Sequence, residues 1–268
     1  MAAIAVLKLG GELLEEPARV AAIARVIRQA ARRGPLVVVH GGGREIDRAL
    51  FAAGIAKQQV DGLRITDEAT LNVVVAVLAG SVNTQFVAAL NAAKVKAVGL
   101  TGADATVAPV RKAKPHVTAA GDTVSLGHVG EPAGRVAPGL LSHLVRGGYV
   151  PVVASVSAGH AGELYNVNAD TLAASVAARL GARRLVIAGA TPGVLDAAGA
   201  TLPEVDRATA KRMVASGAAS AGMVAKLAAC RRALDAGVKD VRIVDGRTAP
   251  VLAAALSGAA AGPWTVVK

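Results

Sequence analysis

Two lysines, one aspartate and two glycine turns are the residues of this chain whose types and spacing could do chemistry. Lys8 follows a short apolar run, Ala5-Val6-Leu7, and precedes Leu9-Gly10-Gly11. A second apolar run, Leu36-Val37-Val38-Val39, leads into His40-Gly41-Gly42-Gly43. Further on stand Asn166-Val167-Asn168-Ala169-Asp170 and Gly222-Met223-Val224-Ala225-Lys226. Glycines after a strand let the backbone approach an anion and aim N–H groups at it. A lysine near the end of a buried strand is unfavourable unless something anionic meets it. Two ammonium groups, a carboxylate and two sets of backbone donors suit phosphoryl transfer, which needs positioning and charge neutralisation more than covalent chemistry by the protein.

Each block also has a plainer reading. Gly10-Gly11 alone is an ordinary strand–helix turn. His40, at a strand end, is better explained by a structural hydrogen bond than by acid–base catalysis. Arg64 lies in Gly62-Leu63-Arg64-Ile65-Thr66-Asp67, just before a long helix for which Thr66 is the expected N-cap. Its guanidinium suits a two-pronged grip on a carboxylate, or equally a surface salt bridge with Asp61 or Asp67. Asn166, Asn168 and Asp170 are more than one helix cap requires, which points to a site. Lys226 sits near the start of a helix, where the dipole favours anions. The chain has no GxxxxGK[ST] loop, no GxGxxG fingerprint and no Gly-x-Ser-x-Gly elbow, so any nucleotide is held by another arrangement.

The elements that must position these residues follow a βαβ pattern, short Val/Ile/Leu runs alternating with Ala-rich helical stretches. Strands are expected at Ile4–Leu7, Leu36–His40, Lys96–Leu100, Val150–Ala154, Arg184–Ile187, Val241–Val244 and Trp264–Val267. Helices are expected at Pro17–Arg33, Arg44–Ala53, Asp67–Ala93, Pro138–Arg146, Ala169–Leu180, Ala208–Ser216 and Ala221–Ala236. Between Val107 and Pro138 the helical period is lost, and hairpin-like strands and loops are expected there. A soft boundary falls near Gly181.

Composition narrows the class. At 268 residues the chain can bury a full core; 53% is hydrophobic and only 2% aromatic, so the core is built of Ala, Val and Leu. No uninterrupted apolar run reaches the ~18 residues of a membrane span. The single cysteine, Cys230, excludes an internal disulfide, and no metal cluster is expected. A cytoplasmic protein is the simplest reading. The net charge of +11 is scattered over Arg32-Arg33, Arg183-Arg184, Arg231-Arg232 and single sites. Without a basic run or stacking aromatics, it points to small anionic substrates rather than nucleic acid.

In their order, these blocks resemble the N-acetylglutamate kinases of the amino acid kinase superfamily. The resemblance extends to Val98-Gly99-Leu100-Thr101-Gly102, Tyr165-Asn166, Pro192-Gly193-Val194-Leu195 and Val244-Asp245-Gly246-Arg247, and so covers nearly the whole chain. It implies an α/β fold, a three-layer αβα sandwich around a mainly parallel sheet, in two lobes. Residues 1–180 would bind the amino-acid substrate and dimerise, and 181–268 would bind ATP. It implies transfer of the ATP γ-phosphoryl to the side-chain carboxylate of N-acetyl-L-glutamate, a step of arginine biosynthesis, with Mg2+ carried mainly by the nucleotide.

By the same resemblance, Lys8 and Lys226 flank the transferring phosphoryl and Asp170 holds both ammonium groups. Gly10, Gly11, Gly41, Gly42 and Gly43 line the phosphates, with N–H donors at Gly11, Gly42 and Gly43. Arg64 and Asn166, with Gly42 and Gly43, grip the amino-acid substrate. Lys8, Gly11, Gly222, Met223 and Lys226 meet the nucleotide. Departures from the family's pattern lie in the ATP lobe, at Gly189-Ala190, Ala221 and Ala225. The chain begins at its first strand, and Pro250 stands where arginine-inhibited members tend to have histidine; the expectation is a homodimer that arginine does not inhibit. Rival expectations are a carrier-linked α-aminoadipate or glutamate kinase, and a non-catalytic amino-acid or nucleotide sensor on the same fold.

Overall fold

Strands buried along nearly their whole length build the fold. The computed structural model describes residues 3–118, 121–134, 139–215 and 221–268. Eight strands form the main sheet: β1 (Ala5–Leu9), β2 (Leu36–His40), β3 (Ala97–Thr101), β4 (Val150–Ala154), β5 (Arg184–Gly189), β6 (Glu204–Val205), β7 (Asp240–Asp245) and β8 (Trp264–Val267). Their order is β6-β8-β7-β5-β1-β2-β4-β3, parallel throughout except for the β7–β8 pair.

The helices are α1 (Pro17–Arg33), α2 (Gly43–Ala52), α3 (Glu68–Ala92), α4 (Gly139–Arg146), α5 (Ala169–Arg179), α6 (Arg207–Ala215), α7 (Ala221–Asp235) and α8 (Ala249–Ser257). Val6, Val37, Val39, Leu185 and Ile187 pack on one side with Leu172 and Val176 of α5 and with Leu227 and Cys230 of α7. Leu7, Leu9, Val38, Val186 and Ala188 pack on the other with Ile23 and Ile27 of α1, Phe86 and Leu90 of α3, and Leu252 of α8. Strands buried on both faces, with helices on each, are what a parallel sheet requires. The layering is the αβα sandwich expected.

The expected elements appear with each described end exact or within two residues. The first strand runs to Leu9 rather than Leu7, which puts Lys8 inside the ladder opposite Val39 and Ile187. Two of the elements numbered above escaped expectation, as did the short strands Val156–Ala158 and Leu164–Val167. β6 is two residues long, and α8 is apolar on nearly every face, so neither shows a period. The cues at α8 were Pro250 in its first turn and Gly258 at φ +88 closing it, the left-handed cap that glycine favours. The expected ends Pro138 and Ser216 lie outside the described residues.

Between Val107 and Pro132 the chain forms the expected short strands, Val110–Lys112, His116–Val117, Thr123–Val124 and Val129–Pro132. Val129–Pro132 pairs with Leu164–Val167 in a second, smaller sheet that also contains Val156–Ala158 and Val110–Lys112. This small sheet sets Asn166 opposite both Val129 and Val156. The boundary near Gly181 falls just before β5, so the two halves meet along the β1–β5 ladder within one continuous sheet.

Helix α3 is interrupted by a π-helical turn over Ala76–Val82. By length and composition it could cross a membrane, with mean hydropathy 1.9. Here Phe86 and Leu90 pack it into the core with α1 and the sheet.

Candidate active site

Parallel strands bring their carboxyl ends, and the turns after them, to one edge of the sheet, where ligands of such folds bind. The Gly10-Gly11 turn follows β1, and Gly41–Gly43 joins β2 to α2. The two turns pack backbone on backbone: a Cβ on Gly11 would stand 2.5 Å from the Gly42 Cα. A Cβ on Gly42 would stand 2.8 Å from Leu78. Only glycine fits the Gly11–Gly42 contact. The Gly10 and Gly41 N–H groups are spent inside the fold, donating to the Ala188 and Leu9 carbonyls. The free donors at this edge are therefore at Gly11, Gly42 and Gly43, the last being the first residue of α2, where helical N–H groups lack intrahelical partners. What Gly10 and Gly41 contribute is the absence of a side chain.

Alternation along β1 turns Lys8 to the face covered by α5. There its Nζ stands 2.8 Å from Asp170 Oδ1, and Lys226 Nζ stands 3.4 Å from Oδ2. The Asp170 side chain is only 6% exposed, so an unpaired charge there would be strongly destabilising. Burial pushes the Asp170 carboxyl upward; the two ammonium groups, Lys8 foremost, outweigh it and hold the carboxyl below the usual carboxylate range. The three expected charges thus meet as one buried bridge. Gly222 and Met223 lie one turn before Lys226 on α7, with Met223 packed against the core.

Asn168 is the α5 cap, its side chain accepting from the Thr171 N–H at 3.0 Å. That explains one member of the Asn166–Asp170 cluster as capping and leaves Asn166 and Asp170 for other work. Asn166 Nδ2 donates to Thr66 Oγ1 at 3.2 Å. Thr66 is fully buried and does not cap α3. Asp67 does, accepting from the Thr70 N–H at 2.8 Å, because a carboxylate one residue later reaches that donor.

Arg64 pairs with neither Asp61 nor Asp67. Its Nη2 meets Asp47 Oδ1 and lies 3.4 Å from the Gly43 carbonyl, while its Nη1 is buried without a partner. Asp67 is spent on its cap, and Asp61 meets His116 at 2.8 Å. The guanidinium therefore stands at the start of α2, beside the second glycine turn, with one nitrogen free.

His40 is fully buried with both ring nitrogens engaged. Nδ1 lies 3.1 Å from the Gly41 carbonyl and Nε2 3.0 Å from Asn83 Nδ2. The amide can only donate, so Nε2 accepts and the proton sits on Nδ1. Asn83 also donates to the Val152 carbonyl at 3.0 Å. Desolvation by burial lowers the His40 pKa to about 4, against the opposing hydrogen bond to Gly41. It is a neutral strut under the glycine turn. Asp47 and Asn83 were missed because their partners are remote in sequence. The available hint at Asn83 was an amide between the apolar residues Val82 and Phe86 of a long helix with no charge after Glu68.

A cavity of about 690 Å³, lined in part by Arg111, Arg179 and Arg232, lies along α5, and none of Lys8, Asp170 and Lys226 lines it. The bridged carboxylate, not cavity size, marks the site.

A family model described as the amino acid kinase family matches residues 3–245. An acetylglutamate kinase from Aromatoleum aromaticum is 40% identical over 246 residues, covering 90% of this chain and 81% of that protein. An acetylglutamate kinase from Rhodopseudomonas palustris strain BisA53 is 41% identical over 250 residues, covering 91% and 83%. Among solved structures, an N-acetylglutamate synthase from Neisseria gonorrhoeae, complexed with coenzyme A and N-acetyl-glutamate, superposes with a TM-score of 0.83 at 24% identity. It covers 99% of this chain and 59% of that one, and it shows the shared fold.

Proposed function

Because the chain belongs to the amino acid kinase family, we infer that it works as an acetylglutamate kinase, transferring the γ-phosphoryl of ATP to the side-chain carboxylate of N-acetyl-L-glutamate. The product serves arginine biosynthesis. The observation that best supports this reading at the site is Asp170, buried between Lys8 and Lys226 at the carboxyl ends of the strands.

The roles follow from charge. Lys8 and Lys226 approach Asp170 from two directions, and each ammonium keeps donor capacity for phosphoryl oxygens. They neutralise the charge that develops as the phosphoryl group moves, and Asp170 holds both in place. Gly11, Gly42 and Gly43 offer backbone N–H groups to the same oxygens. Arg64 presents its free nitrogen, and Asn166 its carbonyl side, to the amino-acid substrate. The acceptor is a carboxylate, already a nucleophile, so no general base is needed. His40, neutral and enclosed, is unsuited to be one.

Both oxygens of Asp170 face ammonium groups and are closed to a metal. The Mg2+ that accompanies ATP is therefore assigned to the nucleotide's own phosphates. We assign residues up to 180 to the substrate lobe and 181–268 to the nucleotide lobe, which meet along β1–β5. The location assigned is the cytoplasm, where ATP is supplied.

A homodimer is proposed through α3. No charged residue lies between Glu68 and Lys94, and Asn72, Ala76, Gly80, Thr84 and Ala88 form an exposed row of small uncharged residues at four-residue spacing. Such rows pack helix against helix. A coupled kinase assay across N-acetylglutamate, glutamate, aspartate, carbamate, UMP and a carrier-bound α-aminoadipate tests the function. Turnover confined to N-acetylglutamate is expected, and preference for any other acceptor would overturn it.

A further inference from the structure

Glu12 has no part in the mechanism above, yet its carboxylate lies at the meeting point of the two halves. Its main-chain carbonyl accepts from Arg19 Nη1 at 2.8 Å, and Arg19 is itself held by Glu16. From that fixed point the side chain folds back over Gly10, where a Cβ would collide with both carboxylate oxygens. Oε1 then accepts the Ala190 N–H at 3.1 Å, across 178 residues of sequence. A Cβ on Gly189 would stand 3.3 Å from that oxygen and 3.7 Å from the Lys226 Cε. Gly10 and Gly189 thus leave the space that Glu12 occupies, and Gly189 seats Glu12 and the Lys226 stem together.

We propose that Glu12 is a positioning residue: a latch that ties the Lys8–Gly11 turn to the Gly189–Ala190 turn and so sets Lys226 and the phosphate end of the nucleotide site. The working atom is the acceptor oxygen, because a neutral backbone N–H is what it meets. The latch crosses the β1–β5 ladder at the edge where the nucleotide must enter, so its effect belongs to ATP rather than to the amino-acid substrate. The inference rests on the phosphotransferase reading for its kinetic arm only.

The test compares Glu12→Ala, Glu12→Gln, Gly189→Ala and the double variant Glu12→Ala/Gly189→Ala, with thermal melts to verify folding. KM is measured for each substrate, and binding of a non-hydrolysable ATP analogue is measured by calorimetry. Glu12→Ala is expected to weaken the analogue and raise the KM for ATP about tenfold, leaving the KM for N-acetylglutamate unchanged, while Glu12→Gln stays within about twofold of wild type, the scale of one hydrogen bond. Gly189→Ala should weaken the analogue in the same direction but by less, because the added methyl crowds the carboxylate at 3.3 Å without expelling it. The double variant should be no worse than Glu12→Ala alone. Unchanged analogue affinity in Glu12→Ala, equal damage from Glu12→Gln, or additive effects would overturn the latch. A wild-type protein inactive on N-acetylglutamate would instead overturn the function, while calorimetry would still decide the latch.

Discussion

At the residue scale, removing the Lys8 ammonium leaves the buried Asp170 with one partner, at 3.4 Å, and takes one of two cations from the phosphoryl path. Lys8→Ala and Lys226→Ala are each expected to lower kcat at least about a hundredfold, the loss typical of one transition-state charge contact. Near-wild-type turnover in both variants, measured by steady-state kinetics, would refute the assigned roles. Arg64→Lys acts differently. Lysine can still pair with Asp47 but lacks the second planar nitrogen, so the KM for N-acetylglutamate should rise with little change in that for ATP. His40 governs acid stability. Its folded pKa of about 4 lies below the ordinary value of 6.5, so between those values the unfolded chain binds the extra proton. Stability is full above about pH 6.5 and falls by roughly 3 kcal/mol on approach to pH 4. Asp170 is held below the usual carboxylate range, and its contribution is lost only at lower pH, so the two windows separate. Urea unfolding across pH should show this slope in the wild type and a flatter one in His40→Gln; equal slopes would exclude the histidine.

At the element scale, α3 makes a prediction of its own. Gly80 is exposed in the middle of the uncharged row, where an arginine projects into solvent in a lone chain and into the facing helix in a pair. Gly80→Arg should convert the dimer to a folded monomer in analytical ultracentrifugation; a wild-type monomer at micromolar concentration would remove the proposed interface. Helices were legible where they were long enough to show a period, as in α1, and strands where they stood as short apolar runs, as in β2; the limits of both agree with expectation. The site was legible where charge stood in an apolar setting, as with Lys8 in β1. Arg64, Asn83 and Glu12 show where such reading ends. Their partners lie 17, 43 and 178 residues away, and which acceptor each one meets depends on how separate elements pack. A cap shows the same limit locally, since Thr66 and Asp67 are both good N-cap residues and only the turn geometry chose between them.

At the scale of the whole molecule, one sheet joins both halves, and the layer beneath the site belongs to the buried core. Cys230 lies there on α7, fully buried one helical turn after Lys226, its thiol pushed well above the usual range by burial and then by the Asp170 charge. Reactivity towards electrophiles belongs to the thiolate, so the native molecule is inert to alkylation. The only thiol in the chain is thus a clock placed under the Lys8–Asp170–Lys226 bridge: a maleimide or iodoacetamide can mark it only when α7 lifts from α5, and the marking rate counts those openings.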